Sequence, residues 1–429
     1  GAGNAGEFYT PRAITAFMAD RVNPRLDRRE TVMDPACGTG GFLTAAIDHF
    51  RNQLTTQSSA EDKRAIEELI HGIEKKQLPH LLCTTNMLLH GIDVPSQIEH
   101  RNTLGIGWNE WSANNKVDCI ITNPPFGGYE DDGVGSDYPA DLRTRETADM
   151  FMALIVKKLL KENGRAAVVL PDGFLFGDGI KGTLKKLLLR DCKLHTIIRL
   201  PKGVFAPYTT IKTNLLFFTK GATVDDGTEH FHTNTIWFYE HPYPAGYKSY
   251  SKTKPIRLEE FKPEQEWWGD EANDFADRVE NELAWKMNFK TKREQAEAAA
   301  KPHWQRAEDL NNQAAALEGE ASDLRKSLVG TTDAANRLKI DAQIAELRAQ
   351  AEPLRLQARD AQAAGDRIYW PIFNLDIKNP NAPEEETHDP DVLLEKYKKL
   401  LGEIEETENQ LKSELAAALA HHFSPEAEA

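Results

Sequence analysis

Three short apolar runs in the first 125 residues each end in a polar or glycine-rich segment, and this rhythm constrains the fold most. The runs occupy residues 31–33, 70–73 and 117–122. Segments with helical spacing of apolar residues separate them, and strands that alternate with helices indicate βαβ units. The sequence therefore predicts an α/β fold with a doubly wound, mostly parallel sheet and helices on both faces.

The third run stops at Asn123-Pro124-Pro125-Phe126. Because the two prolines lack backbone N–H groups and have a fixed φ, neither a helix nor a sheet continues through them. One interpretation is a strand-ending turn with Phe126 packed in the core. The other is a pair of acceptors beside an aromatic ring, suited to a planar base with an exocyclic amine. The four residues alone favour neither interpretation.

The first run leads into a glycine-rich loop that opens a helix, DPACGTGGFL at residues 34–43. Glycines at this position allow close approach of the backbone to a ligand, although tight strand–helix packing also requires them. The second run ends at Glu74, the place of an acid that holds ribose hydroxyls. Ligands of doubly wound sheets bind beyond the carboxyl ends of the strands, where all these residues are expected.

The segment before the first run begins GEFYTPR at residue 6 and passes into a helical pattern. Thr10 is the predicted N-cap of that helix and Pro11 its first residue. The abrupt start is expected of a fragment that lacks an upstream region.

Taken in order, GEFYTPR, DPACGTGGFL, HGIE and NPPF resemble the amino-methylating DNA methyltransferases. The resemblance is greatest to the modification subunit of type I restriction–modification systems, an adenine-specific family. It continues through residues 149–151, 164–177, 199–221 and 373–380. An ordered set of this kind is more specific than any single motif.

The resemblance implies a Rossmann-like methyltransferase sheet and S-adenosyl-L-methionine as the cofactor. Glu74 would accept from the ribose hydroxyls and Asn102 would border the adenine, where many relatives carry Asp. The cofactor-binding residues that it implies are Glu7, Phe8, Tyr9, Thr10, Pro11, Arg12, Asp34, Gly38, Thr39, Gly40, Gly41, Glu74 and Asn102. No metal site is expected.

The implied reaction is methyl transfer to adenine N6 in double-stranded DNA, with Asn123, Pro124, Pro125 and Phe126 as the catalytic segment. Acceptors at Asn123 and Pro124 would bind the amine hydrogens, and Phe126 or Tyr129 would stack on a flipped base. Methylation of a cytosine ring carbon needs a cysteine nucleophile. The absence of a Pro-Cys dipeptide argues against that chemistry.

The family implies two protein partners: a specificity subunit that selects the target and a restriction (motor) subunit in the full complex. Two other classes of function stay open. One is an N-methyltransferase acting on RNA or on protein glutamine, since similar loops serve both. The other is a non-catalytic assembly scaffold that retains the fold.

The net charge is −15, and the deficit lies entirely after residue 225. Nine basic residues between 181 and 220 predict either a phosphate-contacting patch or a solvated helix face. The acidic loop at residues 127–136 fits a loop that closes on the base or ordinary surface disorder. No apolar stretch is long enough to span a bilayer and no signal peptide is evident, so a soluble, cytoplasmic protein without membrane contact is expected.

Four segments are predicted along the chain. Residues 1–225 form the methyltransferase core, and residues 226–291 extend it with short strands. Residues 292–365 carry sevenfold repeats of leucine and alanine, which indicate an antiparallel, coiled-coil-like helical arm. Residues 366–429 contain a C-terminal segment and a helix for partner binding.

Overall fold

The computed structural model describes residues 9–330, 333–382 and 390–422. The chain divides into two compact units, residues 1–380 and 381–429. The first unit contains the sheet, the helices that cover it and a long helical hairpin. The second contains a single helix.

Nine strands form one sheet with the order β3-β2-β1-β4-β5-β7-β6-β8-β9. Their bounds are β1 (Val32–Asp34), β2 (Ile70–Glu74), β3 (Ile98–His100), β4 (Val117–Thr122), β5 (Leu160–Pro171), β6 (Cys192–Arg199), β7 (Thr213–Lys220), β8 (Thr235–Glu240) and β9 (Ala284–Asn288).

The first five strands in this order, from β3 through β2, β1 and β4 to β5, are parallel to one another. At the far side of the sheet, β7 runs antiparallel to both β5 and β6. The sheet does not close there: β8 pairs in parallel with β6, and β9 pairs antiparallel with β8. The predicted doubly wound, mostly parallel sheet is thus confirmed, with two further strands at its far edge.

Helices cover both faces of the sheet. They are α1 (Arg12–Val22), α2 (Gly41–Asn52), α3 (Ala60–Leu69), α4 (Gln77–Leu89), α5 (Thr147–Leu154), α6 (Asp172–Phe176), α7 (Ile180–Asp191) and α8 (Lys262–Trp267). The alternation of strand side chains explains the two layers, since Ile120 packs into one core and its neighbour Ile121 into the other.

The carboxyl ends of β1, β2 and β4 lie at one edge of the sheet. The register pairs Val32 with Ile70 on one side and with Cys119 on the other. Asp34, Glu74 and Thr122 therefore end their strands side by side. This edge is where a doubly wound sheet binds its ligand.

The predicted helical hairpin is confirmed as α9 (Phe289–Ser327) and α10 (Ala334–Tyr369). Contacts from Arg355 to Glu318 and from Trp304 to Asp366 show that the two helices run antiparallel. The alanines of the repeat, such as Ala314 and Ala351, are fully buried. The leucines are only half-buried, so the small residues set a close helix spacing and the larger ones flank it.

The predicted C-terminal helix is confirmed as α11 (Pro390–His422). Apolar side chains recur along it at three- and four-residue spacing and are about half exposed or more: Leu394, Tyr397, Leu400, Leu401, Ile404, Leu411 and Leu415. Among the described residues, no helix is long and apolar enough to cross a membrane.

Enlarging a buried alanine of the hairpin is expected to destabilise it. Ala314 is 0% exposed, so Ala314→Leu forces α9 away from α10 at a cost of about 1–3 kcal/mol. The matched control is Ala315→Leu, which adds the same atoms at an exposed position of the same turn. Thermal unfolding followed by circular dichroism is the measurement, and equal midpoints for both variants would contradict the close alanine packing.

Candidate active site

A cavity of about 310 Å³ opens at the carboxyl edge of the sheet. It is formed by the loops after β1, β2, β3 and β4 and by the segment before α1. The structure brings together these predicted residues along its wall: Tyr9, Thr10, Gly38, Thr39, Gly41, Glu74, Asn102, Asn123 and Pro125.

The other predicted residues lie elsewhere. Glu7 and Phe8 fall outside the described residues. Pro11 and Arg12 form the start of α1 and do not line the cavity. Asp34, Gly40, Pro124 and Phe126 also lie off the cavity wall, in or near the protein interior.

The glycine loop and Glu74 hold each other in place. The backbone N–H of Gly38 donates to Glu74 Oε2 at 2.9 Å, and the N–H of Lys76 donates to Oε1 at 2.7 Å. Gly38 has a φ of +53°, which favours glycine there. A carboxylate bound by backbone donors is presented to the cavity in a defined orientation.

Gly40 serves packing rather than the cavity. Its φ is +86°, and a Cβ at this position would lie 2.8 Å from Cys83 Sγ on α4. Both interpretations of the glycine loop therefore apply, but to different glycines. Gly38 and Gly41 line the cavity, whereas Gly40 allows α4 to approach the loop.

Asp34 lies buried beneath the cavity floor, with 1% of its surface exposed. Its Oδ1 accepts from Thr122 Oγ1 at 2.6 Å and from the N–H of Ala36 at 3.1 Å. Burial raises the pKa of Asp34 to about 7, with a further contribution from the charge of Glu74 and opposition from the two hydrogen bonds. This carboxyl group ties β1 to β4 directly under the glycine loop.

Asn123 presents a buried acceptor. Its Nδ2 donates to Thr10 Oγ1 at 3.0 Å, and its Oδ1 is buried with no hydrogen-bond partner among the described residues. A buried amide oxygen without a donor is costly unless a ligand supplies one. The prediction that Thr10 caps α1 is wrong, because Pro11 is the N-cap residue and the Thr10 hydroxyl turns to Asn123.

Phe126 packs in the core, with 3% of its surface exposed. The structure therefore matches the alternative interpretation of this residue, a ring that supports the strand end, and does not present it as a stacking surface. Tyr129 lines the cavity instead and is 73% exposed. Nothing in the sequence separated these two rings, since both follow the prolines within five residues.

The first turn of α5 holds the loop after Asn123. Thr147 Oγ1 donates to the carbonyl of Pro125 at 2.6 Å, and its N–H donates to that of Gly128 at 3.1 Å. Lys181 on α7 anchors this turn by pairing with Glu146 and with the buried Asp149, each at 2.7 Å. The sequence offered no signal for this contact, because Lys181 lies more than thirty residues from its partners.

Glu130 is a cavity residue that sequence reasoning missed. It is 6% exposed and accepts from Lys75 Nζ at 3.0 Å and from Asn102 Nδ2 at 3.1 Å. The guanidinium of Arg145 donates to its carbonyl at 2.9 Å. Neither a loop that closes on the base nor surface disorder, the two expectations for residues 127–136, includes these contacts. Glu130 stands in a run of acidic residues, and its sequence context did not indicate burial.

Most of the nine basic residues that predict either a phosphate-contacting patch or a solvated helix face are paired with acids or buried. Lys185 is buried and donates to the carbonyls of Leu175 and Gly177, and burial lowers its pKa to about 8. Others form ion pairs: Lys186 with Glu229, Arg190 with Asp191, Lys193 with Asp274, Arg199 with Asp376, and Lys220 with Asp191. Lys202 and Lys212 are exposed, in the loop between β6 and β7.

Within the ranges that the structure describes, no group of three or more His, Cys, Asp or Glu side chains is arranged to hold a metal ion. The four cysteines are buried free thiols.

Known proteins share both the sequence and the fold. The N-6 DNA methylase family model matches residues 1–308. The chain is 48% identical over 419 residues to the EcoEI methylase subunit, part of a type I restriction enzyme of Escherichia coli, and the match covers 98% of this chain and 67% of that protein.

Two solved structures agree with this similarity. One, from work on complex assembly and conformational transition of a type I restriction–modification system, is 28% identical with a TM-score of 0.62, covering 95% of this chain and 67% of the other. The EcoKI M protein is 30% identical with a TM-score of 0.55, covering 64% and 56%. Related sequences are thus longer: this chain spans 67% of the EcoEI subunit and 53% of the EcoKI methylase subunit of Escherichia coli K12.

Replacing the buried Asp34 is expected to change how stability depends on pH. The ordinary pKa of 3.8 is raised to about 7 in the folded chain, so between about pH 4 and 7 the native state holds a proton that the unfolded state has released. Stability of the wild type should therefore fall as pH rises through this window, and Asp34→Asn should remove that component. The measurement is urea unfolding at a series of pH values.

The control is Asp48→Asn, an exposed position on α2. Its stability should follow that of the wild type across the same pH range. Parallel curves for Asp34→Asn and the wild type would contradict the raised pKa of Asp34.

Proposed function

Because the chain belongs to the N-6 DNA methylase family, and within it to the methylase subunits of type I restriction enzymes, we propose that it transfers a methyl group from S-adenosyl-L-methionine to adenine N6 in DNA. It acts in the cytoplasm as the modification subunit of a type I restriction–modification complex. The observation that carries the proposal is the buried Oδ1 of Asn123, which has no hydrogen-bond partner in the part of the chain that the structure describes. Asn123 lines the same cavity as the glycine loop and the oriented carboxylate of Glu74.

The cavity suits the proposed cofactor. Glu74, oriented by two backbone N–H groups, accepts from ribose hydroxyls. Gly38, Thr39 and Gly41 let the backbone lie against the ligand, with Asp34 supporting them from below, and Tyr9 and Thr10 border the methionine end. When bound, S-adenosyl-L-methionine supplies an electrophilic methyl group.

Asn123 and Pro124 prepare the attacking nitrogen. The lone pair of an adenine amine is delocalised into the ring, so the amine is a weak nucleophile. The acceptor at Asn123 Oδ1 binds one of its hydrogens and favours a more tetrahedral nitrogen. Pro124, which lies off the cavity wall, fixes the backbone next to this side chain. This is stabilisation of the transition state by dipoles that the fold has already oriented. Thr10 contributes by holding Nδ2, so that Oδ1 faces the amine.

Tyr129 takes the role of the stacking ring. It is exposed at the cavity, and a flipped base needs an aromatic face on at least one side. Phe126 and Pro125 support this loop from the protein side, and Thr147 fixes the Pro125 carbonyl.

Target selection belongs to a specificity subunit, with a restriction subunit joining the full complex. Most basic residues near the site are paired or buried, and a net charge of −15 opposes tight binding to DNA by this chain alone. We assign residues 1–225 to the methyltransferase core, 226–291 to its extension, 292–365 to the arm, and 366–429 to partner binding. In the last segment, the exposed apolar side chains of α11 suit packing against partner helices.

Asn123→Ala is expected to abolish methyl transfer while affinity for the cofactor survives. Loss of one preorganised transition-state contact costs about 100- to 1,000-fold in turnover. Cofactor affinity should survive because Asn123 is proposed to contact the target base and not the cofactor. The measurement is transfer of radiolabelled methyl to duplex DNA in the presence of the specificity subunit, paired with calorimetry for cofactor binding.

The alternatives give different results in the same assay. A scaffold would bind no cofactor in the wild type. An enzyme acting on RNA or on protein glutamine would label those substrates and leave DNA unlabelled. Unchanged turnover of Asn123→Ala on DNA would contradict only the role given to Asn123 and would leave the proposed function standing.

A charge on the apolar side of α11 is expected to disrupt assembly with the specificity subunit. Ile404 is 50% exposed, and Ile404→Asp places a carboxylate where partner helices pack, at a cost of several kcal/mol. The control is Ser413→Asp, which adds the same charge on the opposite side of the helix. Size-exclusion chromatography with the partner tests this, and co-elution of Ile404→Asp at wild-type ratio would exclude α11 from the interface.

A further inference from the structure

We infer that Glu130 binds the exocyclic amine of the cofactor's adenine, and that through this contact cofactor occupancy positions the loop that receives the target base. The inference rests on the proposed function. It assigns a cofactor-binding role to a residue of the loop that begins on the target side of the site, after β4.

The path of the chain makes Glu130 unusual among the cavity residues. Its loop leaves the end of β4, yet its carboxylate reaches Lys75 after β2 and Asn102 after β3. In the sheet, β1 and β2 separate β4 from β3. The loop therefore crosses the cavity from the target side to its far end, and Glu130 becomes 6% exposed there.

Several contacts hold the carboxylate in this place. Lys75 Nζ donates to Oε1 at 3.2 Å and to Oε2 at 3.0 Å, and Asn102 Nδ2 donates to Oε2 at 3.1 Å. The backbone is fixed as well, since the Glu130 N–H donates to the Arg145 carbonyl and the Arg145 guanidinium donates back to the Glu130 carbonyl. The group is therefore preorganised and not a surface acid that happens to face inward.

The geometry of an adenosine places its base at this end. The base and the 5′ carbon are attached to C1′ and C4′, at opposite ends of the ribose ring. With the ribose hydroxyls at Glu74 and the 5′ end directed to Asn123, which follows β4, the base extends away from β4 toward the end of β3. The polar side chains that line the cavity there are Lys75, Asn102, Thr103 and Glu130. Lys75 is only a donor, and the buried Thr103 hydroxyl already donates to the carbonyl of Pro35 at 2.6 Å. Asn102 and Glu130 remain as candidate acceptors.

Of these two, Glu130 offers the stronger acceptor, because a carboxylate accepts more strongly and has more lone-pair sites than an amide oxygen. Asn102 Oδ1 already accepts from the N–H of Leu104 at 3.2 Å, and Asn102 Nδ2 is a donor. A carboxylate has about four lone-pair sites, and the hydrogen bonds from Lys75 and Asn102 leave capacity on Oε1. Adenine presents its N6 amine as a donor. Asn102 is then a positioning residue that orients Glu130.

The consequence is a link between the two substrates. Tyr129 precedes Glu130 directly, so a ligand that holds Glu130 also fixes the ring proposed to stack on the target base. Gly127, with a φ of +76°, and Gly128 lie between Asn123 and this pair. Cofactor binding thus adds a contact that further stabilises the loop before the base enters.

The test uses two ligands that differ only at the C6–N1 edge of the base, where the inosine form also carries a proton on N1. S-adenosylhomocysteine carries the N6 amine, and S-inosylhomocysteine carries a carbonyl oxygen in its place. The wild type should bind the adenosine form roughly 10- to 100-fold more tightly, as expected for a hydrogen bond to a charged group. Glu130→Gln should lose most of this discrimination, because an amide can donate to the carbonyl as well as accept from the amine. Calorimetry measures both affinities for each protein.

Asp131→Asn is the matched control, since it removes the same charge from the exposed neighbouring position. It should discriminate as the wild type does. Full discrimination by Glu130→Gln would overturn the inference. Circular dichroism of each variant establishes that it is folded.

Hydrogen exchange supplies a second readout. In the wild type, S-adenosylhomocysteine should protect residues 127–136 more than S-inosylhomocysteine does at equal occupancy, and Glu130→Gln should show no such difference. Equal protection by both ligands in the wild type would overturn the link to the loop. If the wild type binds neither ligand, the proposed function itself fails; if it binds both equally, only the role of Glu130 fails.

Discussion

The parallel pairing of β1 with β4 is the constraint on which the rest of the site depends. It sets Asp34 beside Thr122 at the sheet edge, and the 2.6 Å hydrogen bond between their side chains closes the pairing beneath the cavity floor. Two of the loops that line the cavity leave from this junction. The glycine loop follows β1, and Asn123 follows β4 directly.

The carboxylates of this site accept hydrogen bonds from donors on other loops. These hydrogen bonds connect parts of the cavity that are distant in the sequence. Glu74 after β2 is bound by the backbone of the loop after β1. Glu130 after β4 is bound by side chains after β2 and β3. A shift in one loop therefore changes the position of a carboxylate on another. Such contacts between loops give the loop-lined cavity the fixed geometry that recognition of polar groups needs.

Most basic side chains near the site form ion pairs within the protein. Lys181 neutralises two acids at the start of α5, and most basic residues of α7 and β6 pair with nearby carboxylates. The surface beside the site is consequently far less positive than its lysine and arginine content suggests. Outside the sheet, the chain extends into a tightly packed alanine hairpin and, in its second unit, an amphipathic helix. A core that performs chemistry and relies on other chains for target choice fits this distribution.

The sequence by itself determined the strand–loop–helix order, the mostly parallel sheet, the hairpin and nine residues of the cavity wall. These follow from local patterns: apolar period, glycine spacing and the residues at strand ends. Only the tertiary structure decided that Phe126 is core and Tyr129 faces the cavity, and that Glu130 reaches Asn102. It alone showed that the lysines near residue 190 meet acids distant in the chain. The physical reason is that burial and ion pairing depend on which side chains meet across loops, and local spacing carries no record of those partners.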